Sequence, residues 1–316
     1  MALTKREFLR LCTALLASAP FSSCSRGILD TKRFLIGLSQ STMNNTWRVA
    51  MVEGNRSYAT EHYPDVGLIV TDAQNSAATQ TSDVETLLAR GIKVLLLSAV
   101  ESHALVPATR EAMAQGVKVI TLDRKVDTPV TAHVGANNRD IGFKAGEFMA
   151  QRMNGQGGVI EIQGSAGNST TIDRSNGFHE ALSAFPKMKI VATQNVDWIT
   201  EPARKFMEDS LQRFGPDEVG GVYAHNDEMA LGAIQALEQT SRLARVNVVS
   251  IDGQEAAIEA VKAGRMTATF LYPVCAPEGI QNAYRAAQGE AIPEAIVLPS
   301  PRVDSSNVAS YVGKGF

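Results

Sequence analysis

Polar and aromatic side chains able to grip a ligand recur in this sequence just past short apolar runs. Asn44, Asn45, Trp47 and Arg48 follow one run, and Asp123 and Arg124 follow another. Ser165, Asn168, Asp173 and Arg174 stand after a third, and Asp197 and Trp198 after a fourth. Asn226 and Asp227 follow a fifth and Asp252 a sixth, so both tryptophans of the chain belong to this set. A carboxylate accepts on two oxygens, a guanidinium donates through a planar fork and an amide does both. Such groups hold neighbouring hydroxyls bidentately. Rigid aromatic faces add stacking area at small entropic cost. This is chemistry for an uncharged, polyhydroxylated ring such as a sugar, with one Trp on either side. Each position also has a plainer reading. Asp227 opens a helix and reads as a cap, Asp173 reads as helix-start charge, a lone Trp as core and an Asp–Arg pair as a structural bridge. The set gains its meaning from falling at one end of successive strands.

The elements that must position these residues follow from the apolar pattern. Strands are expected at 33–39, 67–72, 93–98, 117–123 and 132–135, with helices at 46–62, 76–90 and 102–115 between them. Gly91 and Gly116 stand just past helices, where a left-handed C′ residue belongs. Val94-Leu95-Leu96-Leu97 is apolar throughout, as in a strand covered on both faces. The pattern then restarts. Helices are expected at 138–153, 171–184, 201–213, 227–239 and 254–263, and strands at 158–163, 190–194, 219–225 and 246–252. Alternating β and α segments imply parallel sheets with right-handed crossovers. The fold class is therefore α/β, with two doubly wound parallel-sheet lobes. Short connections near 135–138 and 266–273 join them as hinges, and a ligand cleft lies beyond the carboxyl ends of the strands.

The whole chain of 316 residues suits two domains. It is 44% hydrophobic and 20% charged with a formal net charge of −3, an ordinary globular composition. A pI near 6.0 without a basic block argues against a nucleic-acid partner. The first 26 residues read as an export signal. Lys5 and Arg6 give a positive start, and the apolar stretch 8–19 is too short for a permanent anchor. Lys5-Arg6 resembles a twin-arginine signal with Lys in the first place; the general secretory route is the alternative. Phe21-Ser22-Ser23-Cys24 resembles a lipobox, which makes Cys24 the lipidation candidate. The competing cleavage site, Ala17-Ser18-Ala19, is followed by the obstructive Pro20. The three cysteines are Cys12, Cys24 and Cys275. Only Cys275 would remain unmodified in a processed chain, so no internal disulfide, metal site or cofactor is expected.

The stretches 41–45 (STMNN), 119–124 (VITLDR), 159–164 (VIEIQG) and 224–233 (AHNDEMALGA) resemble the ribose-binding (type I) periplasmic sugar-binding proteins of ABC importers. Trp47-Arg48, Ile172-Asp173-Arg174, Gly177-Phe178 and 222–227 (VYAHND) resemble the galactofuranose-binding branch. The resemblance implies a three-strand hinge, an N-terminal lobe of 28–136 plus 273–297, and a C-terminal lobe of 137–271 plus 299–316. It makes Asp123 and Arg124 sugar ligands from the first lobe, and Arg174, Asn226 and Asp252 ligands from the second. Trp47 and Trp198 become aromatic platforms, and Asn45 corresponds to a ligand of ribose binders. Arg48 stands where ribose binders carry a second aromatic residue, which disfavours ribose itself. The segment 269–275 departs from the galactofuranose branch, and Tyr272 is its candidate pocket residue. The resemblance further implies a monomer that captures a furanose such as galactofuranose and docks on ABC permease subunits at the membrane. A sugar-sensing receptor feeding a chemoreceptor or sensor kinase is the alternative. A dehydrogenase is disfavoured because Gly37-Leu38-Ser39-Gln40-Ser41 lacks the glycine fingerprint and Gly155-Gln156-Gly157-Gly158 precedes a strand. A repressor of the same fold would need a DNA-binding motif where the signal segment stands.

Overall fold

The computed structural model describes residues 34–316; the segment read as an export signal and Cys24 lie outside them. The first half runs β1 (Phe34–Gln40), α1 (Thr46–His62), β2 (Val66–Asp72), α2 (Ala77–Ala89), β3 (Val94–Leu97), α3 (Val106–Ala114), β4 (Lys118–Leu122) and β5 (Ala132–Ala136). The second half repeats this scheme with α4 (Asn138–Arg152), β6 (Gln156–Gln163), α5 (Ser169–Leu182), β7 (Lys187–Asn195), α6 (Thr200–Arg213) and β8 (Val219–Ala224). It continues through α7 (Asp227–Gln239), β9 (Asn247–Asp252), α8 (Glu255–Lys262) and β10 (Ala268–Leu271). The chain then returns through α9 (Glu278–Ala287), β11 (Ala295–Leu298) and β12 (Arg302–Asp304).

One six-stranded sheet has the order β11-β5-β4-β3-β1-β2 and the other β12-β10-β9-β8-β6-β7. All pairings are parallel except β12 on β10. The two lobes are thus copies of one doubly wound scheme, each reversing direction beside its first strand. The chain passes between sheets after β5, after β10 and after β11, the three crossings of the hinge. The wholly apolar β3 is buried along its length. α9 packs on β3, β4 and α1, so it belongs to the first lobe although it follows the second in sequence.

The structure differs from the sequence expectation in several places. The expected joint at 266–273 contains β10, so the crossing is shorter and begins at Tyr272. β10, β11, β12 and α9 are additional elements, β7 is longer at both ends than 190–194, and α3 begins at Val106 rather than 102. Asn226, not Asp227, caps α7: its Oδ1 accepts from Met229 N at 3.0 Å. Asp173 lies inside α5 rather than in its first turn.

Candidate ligand site

Asparagines fix the strand-end loops of both lobes. Asn45, Asn168 and Asn226 each turn the chain into a helix by accepting the backbone N–H three residues on, satisfying an otherwise orphan donor. Two of them, Asn45 and Asn226, line one cavity of about 270 Å³ together with Trp47, Arg48, Asp123, Arg174, Trp198, Asp252 and Tyr272. Of the ten ligand candidates only Arg124 is outside the lining. It is fully buried behind Asp123, with its guanidinium 5.7 Å from the Trp198 ring. Thr170, which sequence reasoning passed over, also lines the cavity. Its hydroxyl looks like an ordinary first-turn residue of α5. Asn44 is exposed, while Asp227 is a buried anchor bonded to Ser250, Thr269 and Gln254 N. A groove beside the start of β10, lined by Phe148, Arg152 and Asp304, is larger at about 770 Å³ but stands away from the strand ends that gather the polar set.

Asp123 is the hub. Its Oδ2 is 2.7 Å from Arg48 Nη1, and its Oδ1 accepts from Tyr272 Oη at 2.6 Å and from Thr170 Oγ1 at 3.3 Å. Burial alone would raise its pKa, but the Arg48 and Arg124 guanidiniums and the Tyr272 phenol outweigh burial and hold it below the usual range. Arg48 also donates to Ser98 Oγ at 2.9 Å and lies 4.7 Å from the Trp47 ring centroid. Arg124 donates to Ala99 O at 3.2 Å, yet its buried Nε and Nη2 have no hydrogen-bond partner among the described residues. Burial and the neighbouring Arg48 push its pKa down to about 9.

The second lobe contributes from the opposite side. Arg174 Nε donates to Asn138 Oδ1 at 2.8 Å, and its Nη1 donates to His225 O. Its guanidinium lies 4.3 Å from the Tyr272 ring and 5.7 Å from the Trp198 ring. Trp198 owes its place to Gly164, because a Cβ there would sit 2.0 Å from the indole. The buried Trp198 Nε1 has no hydrogen-bond partner among the described residues. Burial and the nearby Asp227 raise the Asp252 carboxyl well above its ordinary value. Asp123, Trp198 and Asp252 all have positive φ, at 62°, 69° and 141°. Side chains pay for that geometry in strain, which concentrates at ligand sites.

The lobes also touch at the rim of the cavity. Ser102 N donates to Gly167 O at 3.1 Å and Lys125 N to Ser169 Oγ at 2.8 Å. Thr46 Oγ1 donates to Glu228 at 3.3 Å. The cleft is therefore shut around the cavity.

The periplasmic binding protein domain family matches residues 36–291. The chain belongs to the periplasmic binding protein family. A ribose import binding protein, RbsB of Bacillus subtilis (strain 168), is 36% identical over 241 residues, 76% of each chain. The galactofuranose-binding protein YtfQ of Escherichia coli (strain K12) is 28% identical over 272 residues, 83% of this chain and 85% of that one. Among solved structures, the fructose-binding periplasmic domain of a hybrid two-component system superposes with a TM-score of 0.84 at 30% identity. It covers 89% of this chain and 94% of that domain. Family membership places this protein among exported, periplasmic sugar-binding proteins rather than enzymes.

Proposed function

We propose that this protein captures one monosaccharide, a furanose such as galactofuranose, by closing its lobes and delivers it as a monomer to the membrane subunits of an ABC importer. The observation that carries the reading is the convergence of Asp123 and Arg48 from one lobe with Arg174 and Asp252 from the other on one small cavity. A ligand that contacts both lobes favours closure; one touching a single lobe has no differential affinity for the closed state. The unpartnered indole donor of Trp198, on the same cavity as the Asp252 carboxyl, matches hydroxyls, which both accept and donate. Arg48 beside Trp47 puts a charged donor where a second aromatic ring on this loop would suit a flat pyranose. In this reading Cys24 carries the lipid that holds the protein at the membrane, and the three interlobe crossings bend on closure. The fructose-binding sensor domain supports a second reading, in which the closed form signals to a membrane receptor.

A thermal-shift screen of the chain from Ser25 onward tests the proposal with galactose, arabinose, ribose, fructose, myo-inositol and galacturonate. A ligand at about 100 times its Kd adds roughly 2.7 kcal/mol, a shift of several degrees. A shift with sugars that populate furanose rings supports the reading. A shift with galacturonate alone assigns the arginines to a carboxylate, and no shift with any of them overturns it.

A further inference from the structure

Glu161 on β6, His179 on α5 and His225 just past β8 form a hydrogen-bonded row that ends at the ligand site. Glu161 Oε2 lies 2.7 Å from His179 Nε2, and Oε1 lies 3.1 Å from His225 Nε2. Glu161 and His225 are fully buried, whereas the His179 side chain is 49% exposed. The His225 carbonyl accepts from Arg174 Nη1, and the next residue, Asn226, lines the cavity. The His225 ring is 6.4 Å from that of Trp198.

A buried carboxylate is costly unless a cation and hydrogen bonds compensate it. The groups facing Glu161 are few. His179 reaches it from α5, and His225 and the Tyr223 phenol reach it from β8. Arg174, also on α5, faces His225 and Tyr223. Ser175 Oγ, 3.4 Å from His179 Nε2 and holding Gln163, is the neutral neighbour. Of the two imidazoles only that of His179 meets solvent.

We propose that His179 is a positioning residue that couples ligand affinity to pH: its solvent-borne proton neutralises Glu161, steadies His225 and so holds the carbonyl that orients Arg174. The titration behaviour of the row agrees. The bond to Glu161 raises the pKa of His179, while burial lowers that of His225, so His179 carries the proton. Loss of that proton leaves the Glu161 charge uncompensated beside His225 and the peptide that Arg174 grips. Affinity therefore falls as pH rises through the His179 pKa. The inference rests on Arg174 being a ligand residue.

The test separates the row from the identity of the ligand. In a Trp47→Phe background without sugar, Trp198 emission is followed between about pH 5 and 8, where an imidazole titrates. The raised carboxyls of Asp227 and Asp252 are common to both proteins, so the readout is the difference between them: a transition above about pH 6.5 that is absent in His179→Gln is expected. In parallel, Kd values for D-galactose and D-ribose are measured over the same range in the otherwise wild-type protein. Weakening of about fivefold across that transition, the low end of site-to-site coupling, is expected, and the loss of that step in His179→Gln. A Trp198 titration unchanged by His179→Gln, or no transition at all, overturns the proposal, as does an affinity profile identical in both proteins. If neither sugar binds, the sugar reading fails for both probes and the Trp198 titration alone decides the row. His179→Gln is preferred to Glu161→Gln because the half-exposed imidazole can be replaced without emptying a buried site.

Discussion

The Tyr272 hydroxyl donates to Asp123 Oδ1 at 2.6 Å and accepts from Asn138 Nδ2 at 2.8 Å, so one phenol at a hinge crossing ties the floor of the first lobe to the first helix of the second. Asn138 in turn accepts from Arg174, which places the two key polar residues of opposite lobes at the ends of one chain of hydrogen bonds. Tyr272→Phe keeps the ring against Trp47 but deprives Asp123 of a donor and Asn138 of an acceptor. A buried group left unsatisfied costs about 1–3 kcal/mol. Calorimetry should show affinity weaker by about tenfold or more, with an unchanged circular dichroism spectrum. Unaltered affinity would show that the link plays no part in binding.

Arg174 and Asp252 offer the sharpest separation of binding from folding. Arg174→Ala removes a cationic fork from the cavity wall and should abolish the sugar-induced thermal shift. Asp252→Asn should abolish it as well. The apo Tm should be equal or higher in Asp252→Asn, because the substitution removes a buried carboxyl whose ionisation burial and Asp227 disfavour and asparagine tolerates unusual backbone angles. Retained affinity in both variants would refute the site assignment.

How much of this arrangement was legible in the sequence depended on distance along the chain. Asp123, Trp198, Asn226 and Asp252 stand directly after apolar runs, and parallel sheets bring such strand ends to one side. The doubly wound lobes follow from the same alternation. β11 and β12 went unseen because they are short edge strands; β11 is an apolar run of only four residues, Ala295-Ile296-Val297-Leu298, and β12 has only three. α9 has Pro277 at its cap and no side-chain cap bond, so it lacked a start signal. Asn138 and Thr170 were illegible as site residues for another reason: their partners Tyr272 and Asp123 are remote in sequence, and only the closed fold brings them together.

Gly164 makes room for the Trp198 indole, whose nearest atom would lie 2.0 Å from a Cβ at that position. Backbone cannot yield cheaply at a strand end, so Gly164→Ala must move the ring. The variant should fold, with a lower Tm and a stability reduced by an amount typical of overpacking, about 1–3 kcal/mol. It should also lose sugar affinity more than a distant alanine substitution of equal stability cost. Trp emission provides the check: a red shift marks an indole driven toward water, and an unchanged spectrum with unchanged affinity would refute the platform role.

Lys125 and Asp173 face each other across the cleft rim at 3.7 Å, and neither lines the cavity. Because the Lys125 side chain is more than half exposed, the pair adds little, about 0–1 kcal/mol after solvent screening. That increment exists only in the closed state. Asp173→Asn should therefore raise the dissociation rate by up to about fivefold with little change in Tm, and the difference from wild type should shrink as salt is added. Stopped-flow release in low and high salt measures both effects. Equal release rates at low salt would show that the pair does not hold the cleft shut.

The pair Glu161–His179 makes a stability prediction whose direction can be worked out at both ends of the pH scale. Burial raises the Glu161 carboxyl, but the bonds from His179 and His225 outweigh it and hold it far below its usual value. A depressed carboxylate contributes stability that is present above its unfolded pKa, about 4.3, and lost as pH falls through the folded value. His179 is raised by its bond to Glu161. Its contribution is complete below the unfolded value of about 6.5 and disappears as pH rises through the raised one. His179→Gln keeps a hydrogen-bonding group but no charge, so the Tm gap between wild type and variant should be widest between these limits and close on either side. The Asp227 carboxyl, pushed up to about 6 by burial, titrates in both proteins and cancels in the difference. A gap that stays constant from acid to alkaline pH would mean that His179 acts by packing alone.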